Sequence, residues 1–590
     1  MKLLRLFIPL FFFFSNLLYA ELPLISGFDV QETWLASESE HFRFIFPAHL
    51  KEFALAMEED AEDVFGELST WTGYTVKYKI DIIITDNRDH ANASVRLGSR
   101  GFYLTVYAVH PYQGFIDGID AYRSWYRNLL THELTHVFFQ DMVSGFPAFT
   151  HNIFGKLLYP NASTPLFYTE GFPAYAETVK DSGFGRGNYT YTSMSVRAAI
   201  LEDNPPLIDR ASNSTALWPG GQARYLYGVS FVGWLVRSYG ERKLFEFNKA
   251  NSSKLGFASS FAFQKVYGKT FYQVWNEWLD EETRRAYAFQ KKIESEGITE
   301  LIPISAQRGY VYSLDMSSSE KMAVYSLRPV DRLGGLYIYD FQTEKEKLVM
   351  KGLYAENIHV SKDDKKIWYI RSDLTKNIFL ENNIYEFDLD KKMETKITKE
   401  GHIQDFIFTD DEKELLACCS TPYGTEIRFL TRKGETRRIL RQDTLPVVEQ
   451  PALSYDKRKV AFSCRNAEGE RAIYITQLDE LKSGIFSPRR ITPLNQAAYS
   501  PKWLSSTELV FIGDQNGAYN LYRINTEDGD LYRITNIAAG IFDPDISASG
   551  TILLREYTSR GFRIVKTSLQ ALRYSYSYSQ ASTEEIPPED

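Results

Sequence analysis

The 590-residue chain is too long for one ordinary hydrophobic core, so two or more domains are expected. A formal net charge of −9, with scattered basic residues, leaves no footprint for nucleic acid. Three cysteines, Cys418, Cys419 and Cys464, are odd in number and lack zinc-site spacing, which excludes a disulfide framework and cysteine-held zinc.

At the N-terminus, Lys2 and Arg5 precede an apolar run from Leu6 to Leu18, and Tyr19-Ala20 then meets Glu21. The run is too short to span a bilayer with its flanks and reads as a secretory signal peptide, residues 1–20. No cysteine follows the cleavage site to carry a lipid, and no later stretch is long and apolar enough for a transmembrane helix. An exported chain so poor in cysteine points to a bacterial periplasm or envelope, or to secretion.

Residues 21–297 read as a mixed α/β front and a helical back. Phe53 to Leu68 has helical spacing, and Ile80-Asp81-Ile82-Ile83-Ile84-Thr85 reads as a buried strand. Gly101 to Tyr107 is strand-like and is expected to be an edge that an extended peptide can join.

The motif His132-Glu133-Leu134-Thr135-His136 follows, in a largely apolar stretch without Pro or Gly. Two histidines four apart share one helix face, so both imidazoles can hold a single Zn²⁺. Glu133 lies about 100° round the helix, placed to take a proton from water rather than to bind the metal. A metzincin would continue with Gly at 139 and His at 142, where this chain has Phe139 and Met142. The third ligand must come from elsewhere.

Glu170, in Tyr168-Thr169-Glu170-Gly171-Phe172, is the candidate. Gly171 permits close packing beside it, and Pro173 predicts that Glu170 opens a helix. Glu177, two turns along, is expected either to hydrogen-bond a ligand histidine or to be a solvated surface carboxylate.

These residues resemble the gluzincin clan of zinc metallopeptidases, in particular the aminopeptidase N-like enzymes, whose third ligand sits in Asn-Glu-Gly-Phe-Ala with another Glu seven residues on. Tyr225-Leu226-Tyr227-Gly228 resembles their Tyr-x-x-Gly segment. The resemblance implies that Tyr225 donates a hydrogen bond to the oxyanion, with Tyr227 as the alternative. Two departures stand out. The longer gap between His136 and Glu170 implies an inserted loop, roughly 143–165, over the site. The strand that anchors a free substrate amine in that family is missing, which favours cutting inside chains. Leu217-Trp218-Pro219-Gly220-Gly221 reads as a turn, either lining the cleft or purely structural.

From about residue 305 the texture changes to short strands between polar turns. Apolar strands begin near Met322, Ile367, Leu415, Val460, Leu509 and Ile552, spaced 45, 48, 45, 49 and 43 residues apart. A second register, Leu336, Ile384, Ile427, Ile473, Leu521 and Ile564, is spaced 48, 43, 46, 48 and 43. Strand repeats with a period in the forties mean propeller blades. Basic outer strands follow the first five units but not the sixth, and Ile298 to Ile302 is expected to close the ring by supplying the missing one. Turns such as Ser361-Lys362-Asp363-Asp364 and Ser454-Tyr455-Asp456-Lys457 resemble the TolB-like six-bladed propeller.

The expected fold is therefore multidomain. A signal peptide (1–20) precedes an α+β gluzincin-like metallopeptidase domain (21–297), an all-β six-bladed propeller (298–572) and a disordered tail (573–590). The expected activity is hydrolysis of a peptide or protein substrate, with one Zn²⁺ per chain on His132, His136 and Glu170, Glu133 as base and Tyr225 at the oxyanion. The propeller is expected to bind or restrict substrate or a protein partner. The alternatives are a non-catalytic envelope scaffold and a zinc hydrolase of non-peptide substrates.

Overall fold

The computed structural model describes residues 31–572 and 576–577, apart from 113–121, 157, 182, 214–216, 256–257, 376–377, 400, 411, 442–443 and 495–496. The expected signal peptide and most of the expected tail lie outside the described residues. Within that tail, Tyr576–Ser577 pairs with Leu531–Arg533 as a short fifth strand on one blade.

The front of the chain builds one five-stranded sheet from β1 (Trp34–Glu38), β2 (Phe42–Pro47), β3 (Ile80–Thr85), β4 (Ala93–Leu97) and β5 (Phe102–Tyr107), in the order β1-β2-β3-β5-β4. The three central strands are parallel, and β1 and β4 flank them antiparallel. Phe42 and Phe44, Ile80 and Ile82, and Phe102 and Leu104 are buried at alternate positions, so one sheet face carries the core. That face is covered by α1 (Lys51–Thr72) and α2 (Trp125–Asp141), through Phe53, Met57 and Phe65 of the first and Leu130, Leu134 and Phe138 of the second.

The strand expected at 101–107 is β5, but it is internal; β4 is the edge. β4 escapes a pattern reading because Ala93-Ser94-Val95-Arg96-Leu97 is short, and of its five residues only Ala93 is buried.

Behind the sheet lie α3 (Gly145–Phe154), α4 (Leu166–Lys180), α5 (Thr190–Leu201), α6 (Ile208–Ser212), α7 (Ala223–Tyr239), α8 (Glu241–Asn251), α9 (Ser259–Tyr267) and α10 (Phe271–Glu296). Pro173 falls inside α4, so Glu170 sits one turn into the helix and not at its start. Phe167, Tyr168 and Phe172 before the proline and Ala174 and Ala176 after it, all fully buried, carry the helix through it and override its local preference. The segment 143–165 holds α3 and a short turn, Pro160–Ser163, and none of its described residues lines the cleft at His132, against the expected overhang. Buried Asn161 ties it sideways, donating to the carbonyls of Phe139 and Asn248 and accepting from Asn251.

α4 and α7 touch backbone to backbone. A Cβ on Gly171 would lie 2.5 Å from the carbonyl carbon of Gly228, and one on Gly228 would strike the carbonyl oxygen of Phe167. Only this absence of side chains lets the two helices meet.

Six four-stranded antiparallel sheets follow, the fifth blade carrying the extra strand at Tyr576–Ser577. Ile302–Pro303 (β6) pairs with Gly561–Ser568 and completes the last blade, joining the two ends of the ring as expected, though of the expected strand 298–302 only Ile302 takes part. The strands expected to begin near Met322, Ile367 and their equivalents are the second of each blade. The innermost strands, Tyr310–Met316, Glu356–Val360, Ile403–Asp410, Val447–Leu453, Ala498–Trp503 and Ile541–Ile546, were not anticipated. Each carries a break in register against its neighbour, which destroys the period-two pattern that marks a regular strand.

The two halves share one core. Trp218 packs on Tyr310, Tyr557 and Phe562 and donates its indole N–H to the Tyr557 hydroxyl at 3.1 Å. Arg197 donates to the carbonyls of Ala538 and Gly517, and Arg465 to that of Tyr122. Calorimetry of the mature chain should therefore show one unfolding transition for both halves. Trp218→Ala should lower its midpoint, at a cost of about 3–5 kcal/mol. Two separate transitions would contradict a shared core.

Candidate metal centre

α2 is buried along nearly its whole length, and it carries His132, Glu133 and His136 into an open cleft of ≈ 450 Å³. Glu170 enters from α4 and Tyr225 from the first turn of α7, the two helices held together by the glycine contact. The Glu170 carboxylate oxygen Oε2 lies 3.1 Å from His136 Nε2 and 3.6 Å from His132 Nε2. One ligand atom from each of the three residues falls within 4.8 Å of the others. Donors bound to zinc at tetrahedral angles sit about 3.3 Å apart. Residues 132, 136 and 170 thus fit the donor set and the spacing of a zinc site.

Glu177 is 1% exposed, which removes the surface reading. Its Oε1 is 2.6 Å from His132 Nδ1, so it accepts that N–H and turns Nε2 towards Glu170. Arg186 Nε lies 3.4 Å from the other Glu177 oxygen and offsets its buried charge. The Arg186 turn reaches this position because Gly185, at φ 83°, packs where a Cβ would be 2.5 Å from the Thr178 backbone. Nδ1 of His136 is buried without a hydrogen-bond partner among the described residues.

Burial alone would lower the pKa of His132, but hydrogen bonds with Glu170 and Glu177 outweigh it and hold it at about 9. Burial also opposes the charge on Glu170, yet His136 and His132 keep it well below the usual carboxylate range. Glu133 is pushed up, chiefly by burial, with the two histidines opposing. Tyr225 is raised by burial and by Glu170, so its phenol keeps its proton at neutral pH. Its ring centroid is 6.1 Å from that of His132. Tyr227 is buried in the core and does not line the cleft, which separates the two tyrosines.

Several lining groups were missed by sequence reasoning. Residues 90–95, including the start of β4, form one wall, and Asn128, Gln140, Arg186 and Arg224 contribute elsewhere. Arg224 is adjacent to Tyr225 in sequence and was open to notice; Arg186, in a glycine-rich turn, carries no periodic signal. Of the turn at 217–221, Gly221 lines the cleft while Trp218 belongs to the core below it. Asp89, just before the wall, is held by the propeller. It accepts from the backbone N–H of Asn382 and of His402, and pairs with His402 Nδ1 at 2.5 Å.

Neither a protein-family model nor a curated protein matches the chain. Among solved structures it is similar to TolB from Acinetobacter baumannii, at 16% identity and a TM-score of 0.36, over 41% of this chain and 58% of that one. It is similar to a putative TolB from Agrobacterium tumefaciens, at 17% identity and a TM-score of 0.35, over 41% of this chain and 86% of that one. A third is the β-propeller domain of the Trilobed protease from Pyrococcus furiosus, at 14% identity and a TM-score of 0.32, covering 45% and 96%. By its own sheets and helices the chain joins a C-terminal six-bladed propeller to a mixed and helical N-terminal part. Among the described residues no helix is long and apolar enough to cross a membrane.

Two outcomes are expected. Glu177→Gln should weaken zinc binding about 10–100-fold, measured by competition with a chromogenic chelator. Because the His132 pKa is raised from 6.5 to about 9 on folding, its contribution to stability is complete below pH 6.5 and lost as pH rises through 9. The melting temperature of metal-stripped protein should fall across that window, and saturating Zn²⁺ should flatten the fall.

Proposed function

We propose that the mature chain is an exported, zinc-dependent metallopeptidase of the gluzincin type that cuts within peptide chains. The supporting observation is the convergence of His132, His136 and Glu170, from two helices, in one cleft with Glu133. One Zn²⁺ per chain, held by those three residues, would supply Lewis acidity to a water molecule and to the scissile carbonyl.

Glu133 accepts the proton of the attacking water and returns it to the leaving amine. Its upward shift through burial suits a carboxyl that must both take and give a proton near neutrality. The protonated phenol of Tyr225 donates to the oxygen that gains charge as the carbonyl carbon becomes tetrahedral. β4, as the sheet edge along the cleft, offers backbone N–H and C=O groups to an extended substrate. The wall at residues 90–95 carries no carboxylate to hold a free amine, which favours internal cleavage. The propeller shapes this wall through Asp89 and so restricts what enters.

Elemental analysis should find one zinc per chain, lost in His132→Ala. Glu133→Gln should keep the zinc and lower turnover of a denatured-protein mixture by about 10²–10⁴-fold. Products should show internal cuts; stepwise N-terminal trimming would overturn the endopeptidase assignment. An unchanged rate in Glu133→Gln would remove the mechanism. Bound zinc with only non-peptide hydrolysis would redirect the substrate class, and neither zinc nor hydrolysis would leave a non-catalytic scaffold.

A further inference from the structure

The three carboxylates that line the cleft are committed: Glu170 to the two histidines, Glu177 to His132 and Arg186, and Glu133 beside them as base. The two arginines differ in this respect. The guanidinium of Arg186 stands by Glu177 and over one side of the Tyr225 ring, 4.9 Å from its centroid. The guanidinium carbon of Arg224 also lies over that ring, at 5.2 Å, but the side chain has no hydrogen bond or ion pair among the described residues. Its Nε is buried and without an acceptor.

A guanidinium that is half withdrawn from water and lacks an anion is unusual, because desolvation costs are normally offset by a carboxylate. The ring contact holds the guanidinium of Arg224 beside Tyr225 with its Nε unpartnered among the described residues, and a guanidinium can take a carboxylate in a two-point grip. Its place is one residue from Tyr225, at the edge of the reacting centre.

We propose that Arg224 is a specificity residue that binds a carboxylate of the substrate, from an acidic side chain close to the scissile bond or from the chain terminus. This rests on the hydrolytic reading above for its meaning, but binding tests it separately. The bond is non-covalent, and the carboxylate is not changed by the reaction.

The test uses internally quenched peptides with amidated C-termini that differ only by Glu or Gln at successive positions on either side of the cleavage point. A second pair carries no acidic side chain and ends in a free carboxylate or an amide. Each peptide is measured for kcat/KM with the zinc-loaded wild type, and for binding to zinc-loaded Glu133→Gln by fluorescence anisotropy. At one position, or at the free terminus, the carboxylate form should be favoured by tenfold or more in both readouts. Which pair responds tells the side chain from the terminus. In Arg224→Gln that ratio should collapse towards one, in Arg224→Lys it should persist in part, and in Arg224→Glu a Lys peptide should overtake its Gln partner.

Ratios within twofold everywhere in the wild type overturn the proposal without recourse to any variant, as does a preference that survives in Arg224→Gln. Cleavage with a ratio of one removes the carboxylate site and leaves hydrolysis standing. Binding preference without cleavage removes hydrolysis and leaves the site.

Discussion

The centre depends on a contact between two glycines. Gly171 and Gly228 bring the backbones of α4 and α7 closer than any side chain allows, which delivers Glu170 and Tyr225 to the same side of the motif helix. The residue before Gly171 is the third candidate ligand, and the one three before Gly228 is the candidate oxyanion donor. Helix spacing therefore couples the position of Glu170 to that of Tyr225: a separation of the pair would move both groups at once. The proline in α4 is tolerated in this frame because its neighbours are buried on both sides.

The propeller is no appendage. Its first and last blades share a hydrophobic core with α4, α5, α7 and α10, and Trp218 sits at the seam. Its middle blades grip the loop before β4 through Asp89. In the proposed function β4 pairs with an extended substrate, and such an edge must be held rigid without being covered, because a covered edge cannot pair. Anchoring the loop and leaving the strand free meets both demands.

What a linear reading can recover depends on whether the signal is local. The motif helix, β3 and the repeat in the second and third blade strands were legible, since burial on one face imposes a period on the residues themselves. The inner strands were not, because each is broken by a register shift and its exposed positions face a channel. β4 was missed for a similar reason: an edge with little burial has little pattern. The segment 143–165 was expected above the site because its length, but not its anchor at Asn161, can be read along the chain.

The candidate ligands, the candidate base, the blade count and the closing of the ring came from the amino-acid sequence alone, as each is encoded in residue type at fixed spacing. Only the tertiary structure put Tyr225 and not Tyr227 in the cleft, buried Glu177 behind His132, named β4 as the open edge and left Arg224 without a counter-ion among the described residues. Those facts concern which surfaces meet, and meeting is fixed by packing between segments far apart in the chain, where neither period nor spacing carries information.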